Sequence, residues 1–425
     1  MPPIARFITR LRHPSAPVSP HNPVFIVAGM VFFFVLFDGI LSYLVPIVIT
    51  DNGFSATQMG LILGSSSVAG VIFDFWLCRF ITDTQYRRIF FLMFLLAAAF
   101  PLFLFGGHSA WTYILAMIVW GFYYDLYDIG ELDFVGRTIA PEQHASSFGV
   151  LRVFDGLGYL LAPLFASALL ILAGVGGLLW ALLGLFFVIA LFFFGVLALA
   201  ERGKTQEPMH HRQLPNLSTL AEFSLWERIG KILAPVLFFT FVMNVIDATF
   251  WTIGPLISES LSAQGASSFE GGLFMMAYML PLLFVGWFVG RFTGRFGKKR
   301  TAFVALGVGS AALIALPLLS GAFGLIGASF IAGICFAFAW PAINGTYADY
   351  VSEALDIERE ISTLQDAATN FGYIVGPVLA GITADALGYA MTFSVLGVIG
   401  LAVALLLIIM TPRSLDLRTV SRPGF

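Results

Sequence analysis

DGILSYLVP (residues 38–46) and DATFWTIGP (residues 247–255) share one pattern: an aspartate, an apolar run, and a proline eight residues on. A second pair follows in the same order. GLGYLLAPLFA begins at Gly156 and NFGYIVGPVLAG begins at Asn370. Gly158, Tyr159 and Pro163 of the first fall in register with Gly372, Tyr373 and Pro377 of the second, and Gly376 precedes the second proline. Two matched pairs, one member of each in either half, point to an internally repeated chain. Such repeats mark secondary membrane transporters.

Working outward, the repeats sit in apolar surroundings. The chain has 425 residues, 59% hydrophobic and only 11% charged, with a mean hydropathy of +0.90. Soluble domains carry roughly 25% charged residues, so the solvent here is a bilayer. A membrane-crossing helix needs about 20 mostly apolar residues. Twelve stretches qualify: 24–48, 57–79, 88–106, 111–134, 146–172, 176–199, 232–257, 269–290, 301–319, 323–346, 366–386 and 389–410.

All 22 Lys and Arg fall at one end of this arrangement, in tails and alternate connections, with Arg152 inside the fifth span near that same end. The opposite connections, TDNGFSA, GGHSA and AGVGG, hold none. The positive-inside rule then places both termini in the cytoplasm of a multi-pass protein of the cell membrane. The expected organisation is a disordered basic tail at 1–22, a six-helix bundle at 23–200, a cytoplasmic loop at 201–231, a second bundle at 232–411 and a cytoplasmic tail at 412–425. The first tail, with Arg6, Arg10 and Arg12, lacks the apolar core of a signal peptide. Thr219 and Glu222 form a candidate capping box for a short surface helix through Trp226. Cys78 and Cys335 lie apart in apolar segments and imply neither a disulfide nor a metal site. Nothing in the sequence calls for nucleic acid. Membrane lipid and a small-molecule substrate are the expected partners, and a monomer the expected state.

GRFTGRFGKKR, residues 290–300, resembles the loop signature G-x-x-x-D-R-x-G-R-R of the major facilitator superfamily. Gly290, Arg295, Gly297, Lys298 and Lys299 match, and Gly294 stands in place of the aspartate. RFITDTQYRR, residues 79–88, is the sister copy, matching at Asp83, Arg87 and Arg88. The glycines permit a tight turn and the cations hold the loop at the cytoplasmic face. The resemblance implies two pseudo-symmetric six-helix bundles, all α-helical, rocking about a midplane site. It also implies that the loop aspartate lies near a neighbouring helix N-terminus and latches one state, and that the Gly158, Pro163, Gly372, Gly376 and Pro377 set serves helix packing. The sugar-porter P-E-S-P-R run is absent, and Ala162-Pro163 departs from the antiporter Gly-Pro.

WGFYYDLYDIGELDFVG, residues 120–136, puts Asp125, Asp128, Glu131 and Asp133 into the fourth span. A mid-bilayer charge costs about 2.5–3.5 kcal/mol on insertion scales, so such a helix faces a hydrated or paired interior. At about 100° per residue Asp125, Asp128 and Glu131 form one stripe. Arg152, the lone cation placed inside a span, falls at the depth of Asp128 or Glu131, with Asp155 one turn deeper. Acids outnumber bases there, which suits a group that carries a proton. The bland alternatives are a static Arg152–Asp155 bridge and solvated helix ends at Asp74, Glu131 and Asp133. Asp38 and Asp247 sit at symmetric depths on the first and seventh spans, which line the central cavity in this family. Asn244, Asn344, Asn370, Trp251 and Trp340 are candidate cavity-lining residues, the asparagines equally suited to helix–helix hydrogen bonding.

The expected activity is alternating-access secondary transport coupled to protons, with no other cofactor or metal and no enzymatic chemistry. The leading substrate expectation is export of cationic or neutral amphipathic compounds by drug/proton antiport. The alternative is proton-coupled uptake of a neutral solute such as a sugar or nucleoside. Lipid or lysolipid movement and a non-transporting receptor are minor alternatives.

Overall fold

The computed structural model describes residues 24–80, 86–139, 143–200, 219–263, 268–319, 321–354 and 357–411. Among these residues the secondary structure is entirely helical. The elements are α1 (Val24–Asp51), α2 (Ala56–Phe80), α3 (Tyr86–Gly106), α4 (Ala110–Thr138), α5 (His144–Ala200), α6 (Thr219–Ala263), α7 (Ser268–Phe296), α8 (Lys298–Ala315), α9 (Ala322–Glu353), α10 (Glu358–Leu387) and α11 (Tyr389–Met410). A 3-10 turn, Leu316–Leu318, follows α8. Gly174 breaks α5 with φ 59° and ψ −171°, so its two limbs occupy the fifth and sixth expected spans.

Ten helices among the described residues are long and apolar enough to cross a membrane. Two expected spans fall outside that set. The fourth, in α4, carries its row of carboxylates. The sixth is described in its side chains over Trp180–Phe193, an apolar part of the expected span. The chain is thus a multi-pass membrane protein, with ten unambiguous spans among the described residues.

Within the chain's N-terminal half, α1 packs on both limbs of α5, and α3 on α4. In the C-terminal half α6 packs on α10, α7 on α9, and α8 on both α9 and α11. The halves meet where α2 lies along α10 and α5 along α7. Helix α1 is the most enclosed span, buried all round apart from a few positions, as expected for a helix that touches protein rather than lipid on every side.

Three boundaries differ from the sequence reading. The short surface helix expected from Thr219 to Trp226 is the start of α6. Leu225, Ile229, Leu233 and Val236 are all buried at helical spacing, and one continuous stripe carries the helix on into the span. Lys231 and Glu227, four residues apart, pair at 2.6 Å on its exposed side. The segment read as a glycine-rich loop, residues 290–296, is the last turns of α7, and only Gly297, at φ +85°, makes the turn. One left-handed residue reverses the chain there, and the other two glycines, Gly290 and Gly294, meet no neighbour. Helix α10 begins at Glu358, earlier than the apolar pattern alone, with Glu358 and Glu360 in its first turn, where the helix dipole favours anions.

Close helix approach rests on small residues. A Cβ added at Gly372 of α10 meets Asn244 Cβ at 2.5 Å and Phe241 O at 2.9 Å on α6. Gly372→Val is therefore expected to lower stability by about 1–3 kcal/mol through overpacking, read as a drop in the thermal unfolding midpoint of detergent-solubilised protein. An unchanged midpoint would show that α6 and α10 have slack at this crossing.

Candidate functional site

A cavity of about 930 Å³ lies between the halves, with walls from both. Asp38 and Asp247 reach it from α1 and α6. Asp38 is 1% exposed. Its Oδ1 accepts hydrogen bonds from Trp120 Nε1 at 2.9 Å and from Tyr123 Oη, and its Oδ2 accepts from Tyr159 Oη at 3.0 Å. Asp247 Oδ1 accepts from Tyr278 Oη and Oδ2 from Tyr373 Oη, both at 2.6 Å. Each deep carboxylate thus has both oxygens engaged by uncharged donors. Buried polar groups need such partners.

The repeat explains part of this geometry. Tyr159 and Tyr373 are the in-register tyrosines of the GLGYLLAP and NFGYIVGP segments, and each donates to the aspartate of its own half. Their neighbouring glycines let the helices close. A Cβ at Gly158 meets Phe32 O at 2.9 Å on α1, just as one at Gly372 meets α6. The Gly376 and Pro377 positions add to this: Gly376 packs on Ala248 of α6, and Pro377 lines the cavity. Pro163 presents its carbonyl to Gly272 of α7 across the halves.

The charged cluster lies toward the cavity end that carries the cationic connections. Arg152 stands 3.6 Å from Asp128 Oδ1, 3.9 Å from Glu131 Oε2 and 3.4 Å from Asp155 Oδ2. Tyr127 Oη donates to Glu131 Oε1 at 2.8 Å and lies 3.2 Å from Asp155 Oδ1. The Arg152 side chain is 58% exposed and Asp128 49%, but Glu131 only 2%. Glu131 is therefore no solvated helix end, because Tyr127 one turn earlier and Arg152 enclose it. Removing the single cation leaves three carboxylates facing one another. Arg152→Ala is expected to lower the thermal midpoint more than Arg152→Ala combined with Asp155→Asn, which relieves part of the repulsion. Simple additivity of the two changes would show that the groups act independently.

Asp125 also lines the cavity, with its carboxylate against Gly70 of α2. Asp133 does not. It accepts from the Tyr86 backbone N–H at 2.7 Å and from Arg137 Nε at 2.6 Å, so it caps the N-terminus of α3 and balances that helix's dipole. Asn244, Trp251, Trp340 and Asn370 line the cavity. Asn244 Nδ2 donates to Thr240 O at 2.8 Å, and the Trp251 ring meets Tyr159 edge-on at 5.7 Å across the halves. Asn344 lies outside the cavity wall and accepts from Gln365 Nε2 at 3.3 Å. It joins α9 to α10, one turn beyond Trp340 on the same face of α9.

Of the loop residues, Lys298 Nζ donates to Asp349 Oδ1 at 2.6 Å and to Gly345 O at 3.0 Å, tying α8 to α9. Arg295 stacks over the Phe296 ring at 5.4 Å. Arg87 and Arg88 open α3. Asp83 and the side chain of Asp74 lie outside the described residues. The described residues hold no cluster of metal-ligating side chains.

The sequence reading missed Trp120, Tyr123, Tyr159, Tyr278 and Tyr373 as site residues, and Asp366 and Thr369 as cavity-lining residues. For Tyr159 and Tyr373 the signal was present in the repeat register. For the others it lay only in which helices touch.

Known proteins agree with this architecture. The structure superposes on the nucleoside transporter NupG with a TM-score of 0.71 at 14% identity, covering 92% of this chain and 100% of that one. The peptide transporter POT, solved in complex with sulfate, matches with a TM-score of 0.68 at 15% identity, covering 94% and 97%. A bacterial homolog of the human lysosomal transporter Spinster, inward-facing and unoccupied, matches at 0.63 and 16% identity, covering 92% and 96%. At these identities the likeness establishes the fold. A search of curated protein sequences gives no match. The Major Facilitator Superfamily family model matches residues 27–355 and 239–424, together nearly the whole chain. With its paired halves and the cavity between them, the chain belongs to the Major Facilitator Superfamily of membrane transporters.

Proposed function

We propose that this transporter carries a neutral, polar, ring-bearing solute of the sugar or nucleoside class into the cell together with protons. The observation that carries the reading is the caging of Asp38 and Asp247 by five uncharged donors. With their oxygens so engaged, the deep carboxylates offer little to a bulky cationic substrate but accept a proton, the smallest cation. Part of the wall is neutral and suits a hydroxyl-rich ring: Thr369 and Asn370 on α10, with Trp251 and Trp340 also lining the cavity. Similarity in fold to a nucleoside and a peptide transporter supports uptake over the drug/proton antiport expected first. Twelve spans, cytoplasmic termini, residence in the cell membrane, monomeric action and the absence of any cofactor besides the proton belong to this proposal.

A second reading, export of cationic amphipathic compounds, keeps one observation in its favour. Among the described residues six aspartates line the cavity (Asp38, Asp125, Asp128, Asp155, Asp247 and Asp366) against one cation, Arg152. Proteoliposomes under an imposed proton gradient separate the two. Uptake and accumulation of a labelled nucleoside or sugar with inward proton flow, abolished by a protonophore, is the expected result. Proton flux triggered by lipophilic cations and by no neutral solute would replace it with the export reading.

A further inference from the structure

Asp385 sits in the last turn of α10, where the helix dipole disfavours an anion, and among the described residues no cation is bonded to it. Its partners lie in the other half of the chain. Asp385 Oδ1 accepts from the Ala56 backbone N–H at 3.0 Å and Oδ2 from the Thr57 backbone N–H at 2.8 Å. A residue in conflict with its own helix yet bonded to another marks a tertiary role.

The donors at the start of α2 show what Asp385 adds. Ser55 and Gln58 form a reciprocal capping box: Ser55 N–H donates to Gln58 Oε1 at 3.0 Å, and Gln58 N–H to Ser55 Oγ at 3.3 Å. Met59 N–H donates to Ser55 O at 2.9 Å. The first two helical N–H groups, Ala56 and Thr57, have no partner within α2. Asp385 takes both. The cap of α2 is thus divided, half built locally and half supplied by the opposite half of the transporter.

The same place is where the two halves come closest. A Cβ at Gly381 collides with Ala56 O, and one at Gly60 with Pro377 O. Gly272 of α7 also lies close on the Pro163 carbonyl of α5, where an added Cβ would come within 2.9 Å. All of these contacts lie at the end carrying the connections free of Lys and Arg, while the exposed charged groups Arg152 and Asp128 lie toward the other end.

We propose that Asp385 is a gating residue of the transport cycle: its carboxylate closes the outer end by completing the α2 N-cap across the halves. The bond pair exists only while α2 and α10 are in contact. Opening that end hands two N–H donors and one carboxylate back to water, so the contact favours the closed-outside state without contributing to either half alone. This rests on alternating access and not on which solute is carried.

The test uses the full chain in lipid nanodiscs without solute. Spin labels go on Trp111→Cys and Phe323→Cys, in the first turns of α4 and α9 at this end and each 80% exposed, with Cys78→Ser and Cys335→Ser as background. Double electron–electron resonance reads the ratio of long to short inter-half distances. Asp385→Asn is expected to raise that ratio about fivefold, the size of an N-cap loss of ~1 kcal/mol, and Asp385→Glu to restore most of it. Ala56→Pro removes one donor at a helix position that tolerates proline and is expected to shift the ratio the same way by less. It decides the matter should Asp385→Asn fail to fold. Distance distributions in Asp385→Asn, or in Ala56→Pro where it stands in, that match the unsubstituted protein overturn the proposal. Because no solute is present, an error in the solute reading leaves this outcome unaffected.

Discussion

Asp38→Asn is expected to abolish gradient-driven accumulation of solute while sparing exchange of solute across the membrane at equal pH. The amide has the shape of a protonated carboxyl. Its oxygen keeps Trp120 Nε1 and Tyr123 Oη as donors. Its NH₂ then faces Tyr159 Oη, whose own hydrogen must turn elsewhere, with the Tyr124 hydroxyl its neighbour. The variant thus holds the site permanently in its proton-loaded arrangement, and the second amide N–H, which a protonated carboxyl lacks, costs about 1–3 kcal/mol of stability. Tyr159 also packs against Trp251 of the opposite half, so its hydroxyl orientation is where proton occupancy meets the solute wall. The measurement is paired: uphill uptake under a proton gradient, and counterflow without one. Loss of both would recast Asp38 as a packing or solute-binding group, and retention of uphill uptake would remove it from coupling.

Asp247→Asn is expected to act differently. Its two donors, Tyr278 and Tyr373, come from its own half, and the residues around it on the cavity wall are Asn244, Ala248 and Trp251, with Thr369 and Asn370 on the facing helix. Its engaged oxygens hold Tyr373 beside the neutral hydrogen-bonding stripe of α10. The amide reverses one of these bonds and tilts that tyrosine. The half-saturation concentration for solute should rise about tenfold, equivalent to 1.4 kcal/mol, with uphill accumulation retained. Concentration-dependent initial rates and the steady-state accumulation ratio measure the two quantities separately. Equal loss of accumulation in Asp38→Asn and Asp247→Asn would mean that the halves share the coupling task, and that the pseudo-symmetry extends to function.

The two aspartates were legible because charge in an apolar helix is expensive enough to stand out, and because the same residue recurs at the same distance from proline in each half. The paired tyrosines were legible in principle for the same reason, since Tyr159 and Tyr373 keep register in the repeat. Asp128, Arg152 and Asp155 were brought together on paper by depth along antiparallel helices, and they meet in space. Glu131 and Asp133, both open to reading as solvated helix ends, have specific partners instead. Glu131 is enclosed by Tyr127 and Arg152, whereas Asp133 turns to the N-terminus of α3. Half a helical turn separates an acid that faces the interior from one that caps a neighbour, and a helical wheel does not show which neighbour is there.

By itself the sequence determined that this chain is a repeated, multi-pass helical membrane protein with costly carboxylates at matched positions. Hydropathy, helix length and repeat register are local properties, and the bilayer allows few other solutions. The tertiary structure decided which donors satisfy those carboxylates, that Asn344 is excluded from the cavity, and that Asp385 serves a helix more than three hundred residues away. Those outcomes depend on interhelical distances of a few ångströms, set by glycine contacts such as Gly372 on Asn244 and Gly60 on Pro377. A hydrogen bond between helices exists only at such separations, and no pattern along one helix encodes how closely another approaches it.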